Sequence, residues 1–195
     1  MNIQQALKNS YSLLNGRFQT YKLDCEILLA DTLKMKNRLD LFLNLEKHLT
    51  KNEINTFFYY VRERQRFKPI SKIITKKEFW SLDIDVSKNV LIPRPETEVL
   101  LHLVSKVLKN RLNIKFLDIG CGSGCLTLAL LKIFFNSKGE AFDISKESVL
   151  NTKFNLKKYN KSERVKVFHR DLFKFKTHRK YDLIISNPPY LKHSE

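Results

Sequence analysis

The chain has 195 residues, 36 of them basic and 20 acidic, for a net charge of +16. Hydrophobic residues make up 43%, enough for a buried core in one large domain or two small ones, and no apolar run reaches the about 18 residues that a membrane span needs. The first residues lack a signal-peptide layout, three cysteines (Cys25, Cys121, Cys125) are too few for a disulfide framework, and no histidine neighbours the 121/125 pair to complete a metal site, so a cytoplasmic protein without bound metal is expected.

Residues 1–66 predict a helical bundle. Ile3, Ala6, Leu7, Leu13 and Leu14 recur at helical spacing, and LDCEILLADTL (23–33) predicts an amphipathic helix with Leu23, Ile27, Leu28 and Leu33 on its apolar side. Thr50 and Glu53 have capping-box spacing ahead of INTFFYYVRERQRF. Residues 67–92 alternate β-branched or aromatic with polar side chains and predict a β-hairpin linking two domains, the second running over 93–195. Pro93 and Pro95 end the hairpin, and a helix begins at 96. From 114 onward, strands at 114–120, 139–145, 164–171 and 181–186 alternate with helical patterns at 125–135 and 146–159. That rhythm predicts a parallel, doubly wound (Rossmann-like) α/β sheet with helices on both faces, which binds ligands beyond the carboxyl ends of its strands. The charge is uneven, +4 over residues 1–66 (11 basic, 7 acidic) and +12 over 67–195 (25 basic, 13 acidic), an excess that suits a polyanionic neighbour such as nucleic acid or the ribosome.

Two stretches carry chemistry. In Asp118-Ile119-Gly120-Cys121-Gly122-Ser123-Gly124 a strand runs into a glycine-rich turn that opens a helix. The spacing is G-x-G-x-G with an acid two residues before the first glycine, which resembles the loop of S-adenosylmethionine-binding folds more than the G-x-G-x-x-G of dinucleotide sites. An acid there suits a cationic amine and repels a pyrophosphate. Asp143, at the end of the next strand, is placed to accept from ribose hydroxyls, and Asp171 with Leu172, after the third strand, to meet an adenine. The second stretch is Asn187-Pro188-Pro189-Tyr190. A planar nitrogen with a delocalised lone pair is a poor nucleophile. Acceptors for both its N–H groups, here the Asn187 side-chain oxygen and the Pro188 carbonyl, shift density onto it and orient it toward a methyl donor. Tyr190 offers a flat face for a planar amide or base. The motif alone fits a glutamine amide, adenine N6 or guanine N2.

Two further stretches, LIPRPETE (91–98) and LDCEILLADTL with KEFWSLDIDV (77–86), resemble the peptide chain release factor N5-glutamine methyltransferases over residues 21–190. The resemblance implies an N-terminal helical bundle of the release-factor-binding type joined by a hairpin to a class I S-adenosylmethionine-dependent methyltransferase domain, acting on the Gly-Gly-Gln glutamine of class 1 release factors. It implies cofactor contacts at Gly120 to Gly124, Asp143, Leu172 and Asn187, and substrate contacts at Asn187, Pro188, Pro189 and Tyr190, with Arg94 nearby. Two departures stand out. Thr75 occupies a position where the family has glycine. Family members also continue well beyond the Asn-Pro-Pro-Tyr motif, so a domain lacking its last strands is expected, with 181–186 at an open edge. The competing readings are a base methyltransferase on DNA or RNA and an inactive truncated remnant.

Overall fold

Helical periodicity and strand alternation occupy separate stretches of this sequence, and the chain divides accordingly. The computed structural model describes residues 1–188 and falls into two units, Met1–Thr75 and a second beginning at Lys76. The predicted linker 67–92 is therefore shared out. Residues 67–75 close the first unit with a short helix, and the hairpin opens the second.

In the first unit, α1 (Ile3–Leu14), α2 (Tyr21–Thr32), α3 (Lys51–Gln65) and the single turn α4 (Ile70–Ile73) surround a core of Ile3, Leu7, Leu14, Leu28, Leu29, Phe57 and Val61. Helix α3 starts where its capping box predicts, with the Thr50 side chain accepting from Glu53 N and the Glu53 carboxylate accepting from Thr50 N. The predicted inward face of α2 needs correction: Leu28 is buried, but Leu23 is exposed, as is Leu13 on α1. The α2 face that turns inward instead carries Cys25, Leu28 and Leu29 together with two carboxylates. Asp24 and Glu26 are buried because each meets a guanidinium, Arg64 Nε at 2.7 Å and Arg38 at 2.5 Å.

The second unit begins with the antiparallel hairpin β1 (Lys76–Phe79) and β2 (Leu82–Asp85). Its two-residue turn, Trp80-Ser81, puts both residues at positive φ, 52° and 51°, where glycine or asparagine is usual. Two side chains hold it: the Glu98 carboxylate accepts from Trp80 N at 2.8 Å, and Lys132 Nζ donates to the Trp80 and Ser81 carbonyls. Then follow α5 (Thr97–Val107), β3 (Lys115–Ile119), α6 (Cys125–Ile133), β4 (Lys138–Asp143), α7 (Lys146–Lys158), β5 (Val165–His169) and β6 (Leu183–Ser186). The four last strands form one parallel sheet in the order β5-β4-β3-β6. Phe116, Ala141, Val165 and Ile185, from its four strands, face one layer built from Leu101 of α5, Leu126 and Leu130 of α6, and Leu156 of α7. Among the described residues the helices thus cover one face, not both as expected. Between β5 and β6 the chain forms only a 3-10 turn (Leu172–Lys174), because residues 170–180 hold five Lys or Arg and no apolar helical period.

Two asparagines join hairpin, sheet and loop. Asn155 of α7, fully buried, accepts from Asp85 N at 3.0 Å and donates to the carbonyls of Asp85 (2.8 Å) and Ser123 (2.9 Å). One turn earlier, Asn151 accepts from Ser87 N and donates to the same Asp85 carbonyl, both at 2.8 Å. Leucine at 155 keeps the volume but orphans the Asp85 N–H and the Ser123 carbonyl, so Asn155→Leu is expected to cost about 3 kcal/mol, a fall of about 6–12 °C in melting temperature. An unchanged melt would remove the clamp from the account.

Thr75, exposed and β-branched, sits at φ 56°, the left-handed region its side chain disfavours. A glycine, which the resemblance implies at this position, would adopt that φ without strain. Thr75→Gly is expected to relieve about 1 kcal/mol of strain and raise the melting temperature by about 2–4 °C; a lower melt would show that the threonine is held there by contacts of its own.

Candidate active site

The sheet reverses direction of growth at β3. From there β4 and β5 are added on one side, and β6 returns to the other, so the carboxyl ends of β3 and β6 flank a crevice. The glycine loop leaves β3 at this point. Gly120 and Gly122 lie at φ 72° and 56°, and a Cβ at either would meet nothing within 4 Å, so the backbone presents an open cradle. Asp143, at the end of β4, ties that cradle down. Its Oδ2 accepts from Gly122 N at 2.9 Å and its Oδ1 from Ser145 N at 2.8 Å, leaving one lone pair on each oxygen for a ligand's hydroxyls.

Asp118, one residue before the end of β3, is 1% exposed beneath the loop. Its Oδ2 accepts from the Thr127 hydroxyl at 2.5 Å, and its Oδ1 has no hydrogen-bond partner among the described residues. Burial drives its pKa up to about 6; the Thr127 hydrogen bond opposes that, and the Asp143 charge adds to it. A buried carboxylate with a vacant oxygen is suited to a cationic donor. The loop cysteines do other work. Burial pushes the Cys125 thiol up to about 12 and holds Cys121 well above its ordinary range, so neither is a thiolate at neutral pH; Cys121 Sγ lies 3.3 Å from Thr152 Oγ1, whose own hydrogen goes to the Gly122 carbonyl.

Across the crevice, Asn187 directly follows β6, whose Ser186 pairs with Ile119 and donates its hydroxyl to the Ile119 carbonyl at 2.8 Å. Asn187 Nδ2 donates to Thr97 Oγ1 at 2.7 Å. Pro93, Arg94, Thr97, Gly120, Cys121, Gly122, Ser123 and Asn187 line one cleft of about 40 Å³. A larger cavity of about 500 Å³ lies at the opposite, amino ends of the strands among charged side chains; the small one is where Asn187 meets the glycine loop, while Asp118 and Asp143 stand behind that loop and do not line it. Arg94 is exposed at its rim; of the acids in the same segment, Glu98 braces the hairpin turn, and Glu96 faces solvent. Gly124 is the residue before α6, and Asp171 and Leu172 stand outside the cleft; Asp171 caps the turn after β5 by accepting from Phe173 N at 2.9 Å, while Leu172 is half exposed. Pro188 is exposed; Pro189 and Tyr190 lie outside the described residues.

Comparison with known proteins places this geometry. Residues 5–74 match the PrmC N-terminal domain and residues 96–195 the Methyltransferase small domain. The release factor glutamine methyltransferase of Clostridium acetobutylicum is 36% identical over 200 residues, covering all of this chain and 69% of that protein. The chain belongs to the release factor glutamine methyltransferase family. Another member, from Buchnera aphidicola subsp. Baizongia pistaciae, is 38% identical, again over the whole chain and 69% of its own length. Among solved structures, the ribosomal protein L11 methylase of Lactobacillus delbrueckii subsp. bulgaricus overlays with a TM-score of 0.45 at 24% identity, covering 54% of this chain and 52% of that one.

The sequence pattern singles out the loop, Asp118, Asp143 and Asn187; it does not single out Thr97, Thr127 and Asn155, which the structure hydrogen-bonds to Asn187, Asp118 and the loop. Thr97 was in view within LIPRPETE; what hid its role is that its partner lies 90 residues away. Below the ordinary carboxylate range Asp118 is protonated in both folded and unfolded chains and costs nothing. As pH rises past about 4 the unfolded chain ionises while the folded one holds its proton to about 6, so stability is lost across that window, by up to about 3 kcal/mol above it. Asp118→Asn is therefore expected to melt higher than wild type at pH 8, with the gap closing toward pH 4, in thermal scans across pH. A gap independent of pH would mean that the site is not desolvated as described.

Proposed function

We propose that this chain methylates the side-chain amide nitrogen (N5) of the Gly-Gly-Gln glutamine of class 1 release factors, using S-adenosylmethionine. The observation that carries the reading is the placement of Asn187: it faces the glycine cradle across the crevice between β3 and β6, with its amide anchored on Thr97. S-adenosylmethionine supplies, when bound, a methyl group on a positively charged sulfur, an electrophile strong enough to need no powerful general base.

Fit to that group rests on three features: the open face of Gly120 and Gly122, the spare lone pairs of Asp143, and the unpartnered oxygen of buried Asp118. In this reading the Gly120–Gly124 loop, with Cys121 and Ser123, approaches the ligand through its backbone; Asp143 accepts from the ribose, Asp118 meets the ammonium, and Asp171 with Leu172 borders the adenine. On the acceptor side, Asn187 Oδ1 and the Pro188 carbonyl each take one N–H of the substrate amide. Both hydrogen bonds strengthen as the C–N bond forms at the expense of the methyl group's C–S bond and the nitrogen turns cationic, so they act on the transition state; one proton then passes from the nitrogen to water. Pro189 and Tyr190 continue the substrate wall, and Arg94 stands at its rim. Residues 1–75 serve as the release-factor-binding bundle, and the unit that begins at Lys76 with the hairpin serves as the transferase domain. Among the described residues no helix is long and apolar enough to cross a membrane, and the charge of +16 supports work in the cytoplasm near ribosomal RNA.

The test is methyl transfer from labelled S-adenosylmethionine to a purified release factor, beside its loop Gln→Ala variant and a nucleic-acid control. Label is expected on the wild-type factor alone and is expected to disappear with Asn187→Ala. Label on the nucleic acid, or on the Gln→Ala factor, would overturn the reading.

A further inference from the structure

We infer that Thr97 is a positioning residue for the acceptor: its hydroxyl, paired with Asn187 Nδ2, helps to hold the Asn187 amide in place with its oxygen toward the nucleophile. The inference rests on the methyl-transfer reading above. A carboxamide has two ends of similar shape and opposite chemistry, an oxygen that accepts and an NH₂ that donates. Half a turn about the last side-chain bond exchanges them. Only one orientation serves the reaction, because the substrate nitrogen presents N–H groups and must meet an acceptor. The other sets donor against donor.

The structure holds one of the two orientations. Asn187 Nδ2 lies 2.7 Å from Thr97 Oγ1, and with Nδ2 so engaged Oδ1 is turned away from Thr97. Both partners stand on rigid ground. Thr97 is 4% exposed, opens α5, and donates its backbone N–H to the Arg94 carbonyl at 3.0 Å within a segment stiffened by Pro93 and Pro95. Asn187 follows a strand registered on β3 through the Ser186–Ile119 pair. The hydroxyl is the one feature of Thr97 that matters to this task. Valine fills the same space but offers no acceptor, and serine keeps the acceptor without the methyl group. The arrangement also gives the LIPRPETE segment a role distinct from that of its arginine and acids: it holds the amide that meets the substrate.

The experiment compares wild type, Thr97→Val, Thr97→Ala and Thr97→Ser in steady-state methyl transfer to a release factor, with S-adenosylmethionine affinity and thermal melts alongside. Thr97→Val is expected to lower kcat by about 30- to 100-fold, the scale of a misaligned reacting group, with the dissociation constant for S-adenosylmethionine unchanged. Thr97→Ser is expected to remain within about threefold of wild type, by retaining the acceptor. If Thr97→Val melts early, Thr97→Ala takes its place; if both lose the fold, Thr97 is structural and the inference is overturned. Wild-type kcat in Thr97→Val, or a loss in Thr97→Ser as deep as in Thr97→Val, overturns it as well. Absence of transfer by wild type would instead overturn the methyl-transfer reading on which the inference stands.

Discussion

A buried carboxamide tolerates no vacant partner, and in this chain that requirement falls on Asn155. Its side chain has one acceptor and two N–H donors, and all three are used, on the two ends of Asp85 and on the carbonyl of Ser123. Those atoms belong to a hairpin strand and to the glycine loop, segments that share no strand pairing. A two-stranded hairpin is marginal in water by itself. Here the end of β2 is finished by amide side chains from α7 in place of a neighbouring strand. Asn151 and Asn155, four residues apart on one helical face, act as that missing edge, and the ion pair of Lys158 with Asp85 extends the same face by a further turn.

From that clamp the shape of the site follows. The loop is held from behind at Ser123 by Asn155, at the Gly122 carbonyl by Thr152 (3.0 Å), and at the Gly122 N–H by Asp143. Pinned at three points, it leaves the Cβ sides of Gly120 and Gly122 facing open space. Asp118 lies beneath, desolvated and half satisfied. A fold selected for stability alone would place an apolar residue or an amide there. A buried carboxylate with an unused oxygen carries a desolvation cost that folding alone does not explain, which is why Asp118 enters the proposed site.

Local pattern made the second unit's strands, its glycine loop and its Asn-Pro-Pro stretch legible, since period, glycine spacing and proline are written in neighbouring residues. It failed where distant residues decide. Leu23 looks like core by spacing and is exposed, because the opposing surface turned two carboxylates of α2 inward, and the two guanidinium groups that permit it lie 12 and 40 residues away. Trp80-Ser81 carries no hairpin-turn signature; Glu98 and Lys132 impose the turn from outside. Residues 67–75 share the composition of the hairpin but pack Ile70, Ile73 and Ile74 into the first core. The expected second layer of helices assumed that every crossover carries one, and residues 170–180 are too cationic and too aperiodic to supply it.

Topology also explains why the two chemical motifs are far apart in sequence and adjacent in space. Strands β4 and β5 are laid down on one side of β3 before β6 returns to the other side. A crevice at the carboxyl end of β3 can therefore be closed only after two strand–helix units and a return crossover, and Asn187 accordingly follows Gly120 by 67 positions. Placed earlier, at the end of β4, an asparagine would sit where Asp143 already anchors the loop. Placed at the end of β5 it would be a further strand away from the cradle. Only the strand on the far side of β3 brings a carboxamide against both the glycine loop and the start of α5, where Thr97 waits at the end of a proline-stiffened segment. The meeting of Asn187 with the glycine loop is thus a consequence of strand order, and the hydrogen bond between residues 97 and 187 closes the crevice between them.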